Sequence, residues 1–146
     1  MRRRLLRTVI ALAASGGLVA CGGDDRSTGA TPDASFTTVT PAQIAPRAAA
    51  GEVLLVDVRE DDEWQAGHAG DAQHVPLAEV SGRLDRLRTE AAGRPIAFIC
   101  RSGNRSGQAA RAAVDAGLTQ VINVDGGMGA WLAAGLPIVP ADGRVL

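Results

Sequence analysis

Short apolar runs recur along the chain after residue 35, and polar or alanine-rich segments stand between them. A nearly continuous apolar run of four or five residues is typical of a strand that is covered on both faces. The segments that predict strands are 36–39, 53–56, 73–75, 95–99 and 121–124. The first of these is short, and we expect it to be an edge strand at best.

The segments between these strands predict helices. Thr40 followed by Pro41 is typical of a helix start, with threonine as the N-cap and proline in the first helical position. Val80, Leu84 and Leu87 have the spacing of one apolar helix face. Residues 136–140 are expected to lie over the surface. The predicted helices cover 40–49, 60–66, 79–92, 107–114 and 128–134.

Strands and helices therefore alternate between residues 36 and 140. This order predicts an α/β fold, with a central, mainly parallel sheet of about five strands and helices on both faces. In such sheets ligands bind beyond the carboxyl ends of the strands. Three segments follow predicted strands, so we expect them to meet at one edge: Asp57-Val58-Arg59, Cys100, and Asp125-Gly126-Gly127.

The start of the chain has a different pattern. Four arginines lie within the first seven residues, and residues 8–20 are apolar or small throughout. These 13 residues are too few to span a bilayer, which takes about 20. A charged start before a short apolar run is typical of a secretory signal. Its end, Leu18-Val19-Ala20-Cys21, resembles the lipobox of bacterial lipoproteins, in which the cysteine becomes the first mature residue and carries lipid.

We therefore expect a signal peptide over 1–20, a flexible tether over 21–35, a folded domain over 36–140 and a tail over 141–146. Lipid on Cys21 would hold the domain at a membrane surface. The expected location is outside the cytoplasm, on the outer face of the cytoplasmic membrane or in the periplasm. The alternative is an ordinary signal that is cleaved near Ala20 and leaves a free Cys21.

Charge and cysteine content narrow the function classes. The formal net charge is −1, and nothing in it indicates a nucleic-acid partner. The chain has two cysteines and two histidines, which are far apart and do not indicate a metal site. We expect no cofactor. If Cys21 is acylated, Cys100 is the one remaining thiol, which excludes an internal disulfide cycle.

The segment Cys100-Arg101-Ser102-Gly103-Asn104-Arg105-Ser106 carries the strongest chemical signal. It links a predicted buried strand to an alanine-rich predicted helix. Backbone N–H groups at such a turn, together with the helix N-terminus, form an anion cradle. The same environment lowers the pKa of a cysteine and makes it nucleophilic. The alternative interpretation, a buried structural cysteine, does not explain the two arginines and the glycine of the turn.

These residues resemble a single-domain rhodanese, a sulfurtransferase module. The resemblance covers about 36–140 and depends on the order and spacing of several motifs together. They are Asp57-Val58-Arg59, Glu63-Trp64, Gly67-His68, Ala72, Val75-Pro76-Leu77, the Cys100–Ser106 segment, Gly126-Gly127 and Trp131.

The resemblance implies sulfur transfer through a Cys100 persulfide, with thiosulfate or a persulfide as donor and a thiophilic acceptor such as cyanide or a small thiol. The backbone N–H groups from Arg101 to Arg105 would stabilise the negative sulfur. Arg101 and Arg105 are candidates for attracting an anionic donor, and Arg105 is equally a candidate for bracing the loop. Asp57 and Arg59 are implied to support the loop. The hydroxyls of Ser102 and Ser106 would bond the persulfide or cap the next helix.

Other interpretations stay open at this point. Cysteine phosphatases have five residues between the cysteine and the arginine, whereas this chain has four, which by resemblance favours sulfur over phosphate or arsenate chemistry. A non-catalytic rhodanese-like module that binds a partner or a sulfur species is a further alternative. Trp64 and Trp131 are expected in the core, and neither His68 nor His74 is expected to be catalytic.

Overall fold

A computed structural model describes residues 35–146 of the chain. Within this range five strands alternate with five helices. The strands are β1 (Thr37–Val39), β2 (Leu54–Asp57), β3 (Ala72–His74), β4 (Ile96–Ile99) and β5 (Val121–Val124). The helices are α1 (Pro41–Ala49), α2 (Asp61–Ala66), α3 (Leu77–Ala91), α4 (Asn104–Asp115) and α5 (Gly127–Ala133).

The strands form one parallel sheet in the order β1-β5-β4-β2-β3. The central position of β4 puts its carboxyl end between those of β2 and β5. In the register, Asp57 lies opposite Ile99, and Phe98 lies opposite Asn123. The predicted α/β architecture is confirmed, including the edge position of β1. The three strand ends that carry polar motifs meet at one edge of the sheet.

Each face of the sheet has its own apolar core, because successive side chains along a strand point to opposite faces. Leu54, Val56 and Phe98 pack with the apolar residues of α3 and α4. Leu55, Ala97 and Ile99 pack with those of α1 and α5, including Trp131, which is 2% exposed. Helices therefore cover both faces, and this explains why β2, β4 and β5 are apolar at almost every position.

Three details differ from the sequence-based expectations. α4 begins at Asn104 instead of residue 107, so the second half of the cysteine segment is helical. Ile138 is buried in the core beneath α5, so the expectation that residues 136–140 only lie over the surface was wrong for this side chain. Trp64 is only partly buried and stacks in parallel on the rings of His68 and His74, so it is not a core anchor.

The segment after α5 folds back onto α2. Val139 and His68 exchange backbone hydrogen bonds, and the Arg144 N–H donates to the Ala66 carbonyl at 2.8 Å. Gly67 allows this approach, since a Cβ there would lie 2.9 Å from the Arg144 carbonyl oxygen. In the described part of the chain no helix is both long and apolar enough to cross a membrane.

Candidate active site

Cys100 lies directly after β4, at the edge where β2, β4 and β5 end. The residue is 1% exposed, so its sulfur lies at the bottom of the turn. Gly103 closes the turn and is the N-cap of α4, with φ +100 in the left-handed region, which glycine adopts at little cost. The sequence Ser102-Gly103 thus lets the chain reverse direction within four residues around the sulfur.

Polar groups of the turn and of the first turn of α4 face the sulfur. The Gly103 N–H donates to Cys100 Sγ at 3.1 Å, and Ser106 Oγ, in the first turn of α4, lies 3.4 Å from it. Burial alone would raise the pKa of the Cys100 thiol. Hydrogen bonds from the Ser106 hydroxyl and from the N–H groups of Ser106, Ser102 and Gly103 outweigh burial, and the pKa is lowered. The turn therefore favours a thiolate, the reactive form of cysteine.

The start of α5 holds the cysteine turn from the other side. The Met128 N–H donates to the Cys100 carbonyl at 2.7 Å, and the Gly129 N–H donates to the Arg101 carbonyl at 3.0 Å. Gly127 permits this contact because a Cβ there would lie 2.2 Å from the Cys100 carbonyl oxygen. Its φ of +52 also lies in the left-handed region. Gly127 is thus explained by the close approach of two backbones. Gly126 has a different reason: its φ is +73, and a Cβ there would lie 2.6 Å from the Cβ of Ala130.

The two arginines of the turn have different surroundings. Arg105 forms a two-pronged ion pair with Glu63 of α2, at 2.6 Å from Nη1 to Oε2 and 2.7 Å from Nη2 to Oε1. The Arg101 side chain is exposed and has no hydrogen bond or ion pair with any other described residue. Of the two guanidinium groups, only that of Arg101 is free to meet an incoming anion.

The ion pair also affects Glu63 itself. The hydrogen bonds from Arg105 hold the pKa of the Glu63 carboxyl below its ordinary value, although burial opposes the shift. The nearby charge of Arg59 acts in the same direction. Since the pair joins α2 to α4, it fixes the first turn of α4, where Ser106 also lies.

Asp57 and Arg59 are completely buried and bind each other. The Arg59 backbone N–H and Nε both donate to Asp57 Oδ1 at 3.0 Å, and Nη2 donates to Oδ2 at 2.7 Å. Nη2 also donates to the Gly67 carbonyl at 2.8 Å. These bonds fix the connection from β2 to α2. Within residues 35–146 neither side chain has a hydrogen bond to the cysteine turn, so any support for the turn is indirect.

The side chains of the remaining predicted residues have no described hydrogen bond to the sulfur of Cys100. Ser102 and Asn104 are exposed, and Asn104 Oδ1 accepts a hydrogen bond from Gln108 at 2.9 Å. His74 Nε2 bonds the Arg59 carbonyl at 2.8 Å, and His68 Nδ1 bonds the Trp64 carbonyl at 2.9 Å. Both histidines therefore have local structural contacts. Cys21, the predicted lipidation site, lies outside the described residues.

Three site residues were not predicted as such. Glu63 was noted only as part of a motif, and its partner Arg105 is 42 positions away along the chain. Gly127 was also noted only within a motif, and Asn123 only as a member of a strand. The one usable signal for Asn123 is that it is an amide in an otherwise apolar, buried strand.

The chain matches the rhodanese-like domain family over residues 40–134, and it belongs to that family. It is 42% identical over 102 residues to an HTH-type transcriptional regulator, Rv0324, of Mycobacterium tuberculosis, a match that covers 68% of this chain and 43% of the regulator. It is 37% identical over 92 residues to a sulfurtransferase of Allochromatium vinosum, covering 63% of this chain and 83% of that protein.

A solved structure of a rhodanese-related protein from Thermoplasma volcanium has the same fold, with a TM-score of 0.63 and 26% identity. The similarity covers 71% of this chain and 98% of that one. Among the first curated relatives, however, the chain spans 43 to 65% of the relative's own length. The family is therefore established, while the activity of this chain is a matter for proposal.

Replacing Gly127 by Ala is expected to disturb the cysteine turn. The new Cβ would overlap the Cys100 carbonyl, and alanine is strained at a φ of +52, so we expect a loss of about 2–4 kcal/mol in unfolding free energy. The pH at which Cys100 is alkylated should also rise. Urea unfolding and alkylation rates measure the two effects. Gly82→Ala is the control: it faces open space within α3 and should stabilise by about 0.5–1 kcal/mol. Unchanged stability and reactivity of the Gly127 variant would mean that this close contact does not hold the cysteine turn in place.

Replacing Glu63 by Gln is expected to lower stability by about 1–3 kcal/mol at neutral pH, because charge-assisted hydrogen bonds to Arg105 are lost. The folded-state pKa of Glu63 is lowered, so its stabilisation is complete above the ordinary value of 4.5 and is lost as the pH falls through the folded-state pKa. Urea unfolding of both proteins across the acidic range should show the two stabilities converging.

The control for this experiment is Glu79→Gln. Glu79 pairs with Arg83 on the exposed side of α3, and removal of such a surface pair should cost no more than about 0.5 kcal/mol. A difference between wild type and the Glu63 variant that persists unchanged into acid would mean that the carboxylate charge is not what stabilises this site.

Proposed function

We propose that this protein is a sulfurtransferase that moves sulfane sulfur from a donor such as thiosulfate to a thiophilic acceptor through a persulfide on Cys100. The observation that carries the proposal is the cysteine turn itself: a nearly buried sulfur that accepts an N–H from Gly103 at 3.1 Å and has a lowered pKa. Membership of the rhodanese-like family and similarity to a protein named as a sulfurtransferase support it.

The first step is a displacement at sulfur. The Cys100 thiolate attacks the outer sulfur of thiosulfate, a new S–S bond forms, and the S–S bond of thiosulfate breaks. Sulfite leaves with the electron pair, and the persulfide keeps one negative charge. Covalent catalysis of this kind divides one difficult transfer into two easier ones. The N–H groups that stabilise the thiolate would also stabilise the persulfide anion.

In the second step an acceptor attacks the outer persulfide sulfur, and Cys100 leaves as a thiolate. With cyanide the product is thiocyanate, and with a thiol it is a new persulfide. Cys100 is the only cysteine among the described residues. With Cys21 acylated, as proposed below, the chain would hold no second thiol to take the sulfur, and the acceptor would be a separate molecule.

Arg101 is the residue we assign to recruitment of an anionic donor. Its guanidinium is exposed and unpaired within residues 35–146, and its backbone is fixed by the Gly129 N–H. A planar guanidinium suits the oxygens of thiosulfate. Arg105 braces the turn instead, because Glu63 already occupies both of its terminal nitrogens.

For the location we propose that the protein is exported and anchored by lipid on Cys21. The support is the N-terminal sequence, in which arginines and a short apolar run precede Leu18-Val19-Ala20-Cys21. The polar residues 22–35 would then separate the membrane from the domain. Sulfur donors and acceptors would accordingly be molecules present outside the cytoplasm.

The proposed activity predicts a mass change. The full chain with Cys21→Ser, in which Cys100 is the only thiol, should gain the mass of one sulfur atom on incubation with thiosulfate. Cyanide should remove it, and Cys100→Ser in the same background should show no gain. Intact-mass spectrometry measures each state.

Other outcomes of this experiment separate the alternatives. A gain with glutathione persulfide but not with thiosulfate would keep sulfur transfer and change the donor class. No gain with either donor, in a folded protein whose thiol reacts with an alkylating agent, would overturn the proposal in favour of a binding module.

The proposed anchor predicts a change of fractionation. In a bacterial host that processes lipoproteins, the wild-type chain should be recovered with membranes and should carry lipid on Cys21. The Cys21→Ser chain should be recovered in the soluble fraction, whereas Cys100→Ser should behave as wild type. Membrane recovery of the Cys21 variant would contradict the lipid anchor.

A further inference from the structure

The Ser106 hydroxyl has more acceptors around it than it can serve. Its Oγ lies 2.6 Å from Asn123 Oδ1, 3.0 Å from the Gly103 carbonyl oxygen and 3.4 Å from Cys100 Sγ. A hydroxyl carries one proton and can donate one strong hydrogen bond at a time. The direction of that proton therefore decides whether the sulfur receives a side-chain donor.

The contact with Asn123 is the shortest of the three, and Asn123 is the one polar residue of its strand. It lies on β5, opposite Phe98 of β4, and is 8% exposed. The other three residues of β5 are apolar and buried. Burying an amide costs free energy unless its hydrogen bonds are made, so the short bond to Ser106 is what accounts for its presence here.

An amide differs from a carbonyl in that it can present either an oxygen or an NH₂ group to the same partner. Asn123 Oδ1 lies 2.6 Å from Ser106 Oγ, which is its shortest contact, so the hydroxyl proton is expected to point at Oδ1 while Cys100 is a neutral thiol. When the sulfur is negative, a hydrogen bond from the Ser106 hydroxyl to the sulfur stabilises the site more than one to Asn123, because a hydrogen bond to an ion is stronger. Ser106 Oγ can then accept a hydrogen bond in its turn. Rotation of the Asn123 amide by about 180° would bring its NH₂ group to Ser106 Oγ as the donor.

On the side that faces Gly107, the amide is not crowded. Nδ2 of Asn123 faces Gly107, where even an added Cβ would stay 3.8 Å away. Asn123 also approaches Ser106 from a strand, and Ser106 is fixed in the first turn of α4. The partners are held by regular secondary structure, so only the amide plane and the hydroxyl proton have to move.

We propose that Asn123 is a positioning residue, which turns the Ser106 hydroxyl toward Cys100 when the sulfur carries negative charge. It acts on the thiolate and, in the reaction proposed above, on the persulfide anion; that second part depends on the proposed function. Asn123 does not touch the sulfur. Its contribution passes through Ser106.

Charged groups around the turn act on the same sulfur and stay constant in the test. They are Arg101 within the turn, Arg105 with its partner Glu63, and Asp125. Asp125 lies just before α5, and its Oδ1 is beside Gly103. Asp57 on β2 is neutralised by Arg59. A change made at Asn123 or Ser106 leaves all of these in place.

The test measures the alkylation rate of Cys100 by iodoacetamide against pH, in the full chain with Cys21→Ser. Asn123→Asp keeps the shape but cannot donate and adds a negative charge, so the rate at neutral pH should fall about tenfold and its midpoint should move to higher pH. Asn123→Ala should give a smaller fall in the same direction. Ser106→Ala should give a fall at least as large as that of Asn123→Ala.

The double variants decide whether Asn123 acts through Ser106. In the Ser106→Ala background, Asn123→Ala should have almost no further effect, and Asn123→Asp should keep only the part due to its charge. Gln108→Glu is the matched control, because it makes the same change from amide to carboxylate at an exposed position of α4 outside the cysteine segment. Its effect should be much smaller than that of Asn123→Asp, since water screens its charge.

Equal effects of the Asn123 changes with and without Ser106 would overturn the proposal, and so would an unchanged or faster rate in Asn123→Ala. If Asn123→Asp does not fold, as judged by circular dichroism, the two alanine variants Asn123→Ala and Ser106→Ala and their combination still provide a complete double-mutant cycle. The readout is the thiol alone, so it stays valid if no sulfur is transferred. The mass experiment would show that the proposed function is wrong, and the alkylation rates of the single and double variants would show that this inference is wrong.

Discussion

The contact between the cysteine turn and the first turn of α5 is the interaction on which the site depends. A turn that points several N–H groups inward leaves its carbonyl groups pointing outward, and those of Cys100 and Arg101 are bound by the N–H groups of Met128 and Gly129. The helix end has spare N–H groups, and the turn has spare carbonyls. Each satisfies the other, and the two backbones approach so closely that only glycine fits at position 127.

Electrostatics at the site follow from where each arginine finds a partner. Arg59 is buried with Asp57, Arg105 is engaged by Glu63, and Arg101 stands in water. Two of the three charges thus fix connections between elements and contribute little net charge at the opening. The sulfur is stabilised mainly by short-range hydrogen bonds from the turn, which are insensitive to salt, whereas recruitment of an anion by Arg101 would weaken as ionic strength rises.

Much of this could be predicted from the sequence, because the apolar runs of β2, β4 and β5 and the glycines that end helices are local signals. The segment around Cys100 was placed correctly for the same reason. The predicted start of α4 was three residues too late. Asn104, Arg105 and Ser106 have the composition of a loop, and only the structure shows that Gly103 is the N-cap. The pair Glu63–Arg105 and the bond from Asn123 to Ser106 could not be predicted, because they depend on how α2 and β5 are brought beside α4 by the fold.

The depth of Cys100 has a consequence for encounters between two copies of the protein. A disulfide requires the two Cα atoms to come within about 4.4–6.8 Å of each other. With Cys100 only 1% exposed, the turns of two folded domains would overlap before their Cα atoms came so close. Covalent pairing through this thiol is therefore closed to the folded state. An oxidising environment that crosslinks exposed cysteines would leave the Cys100 thiols of two folded domains unpaired with each other.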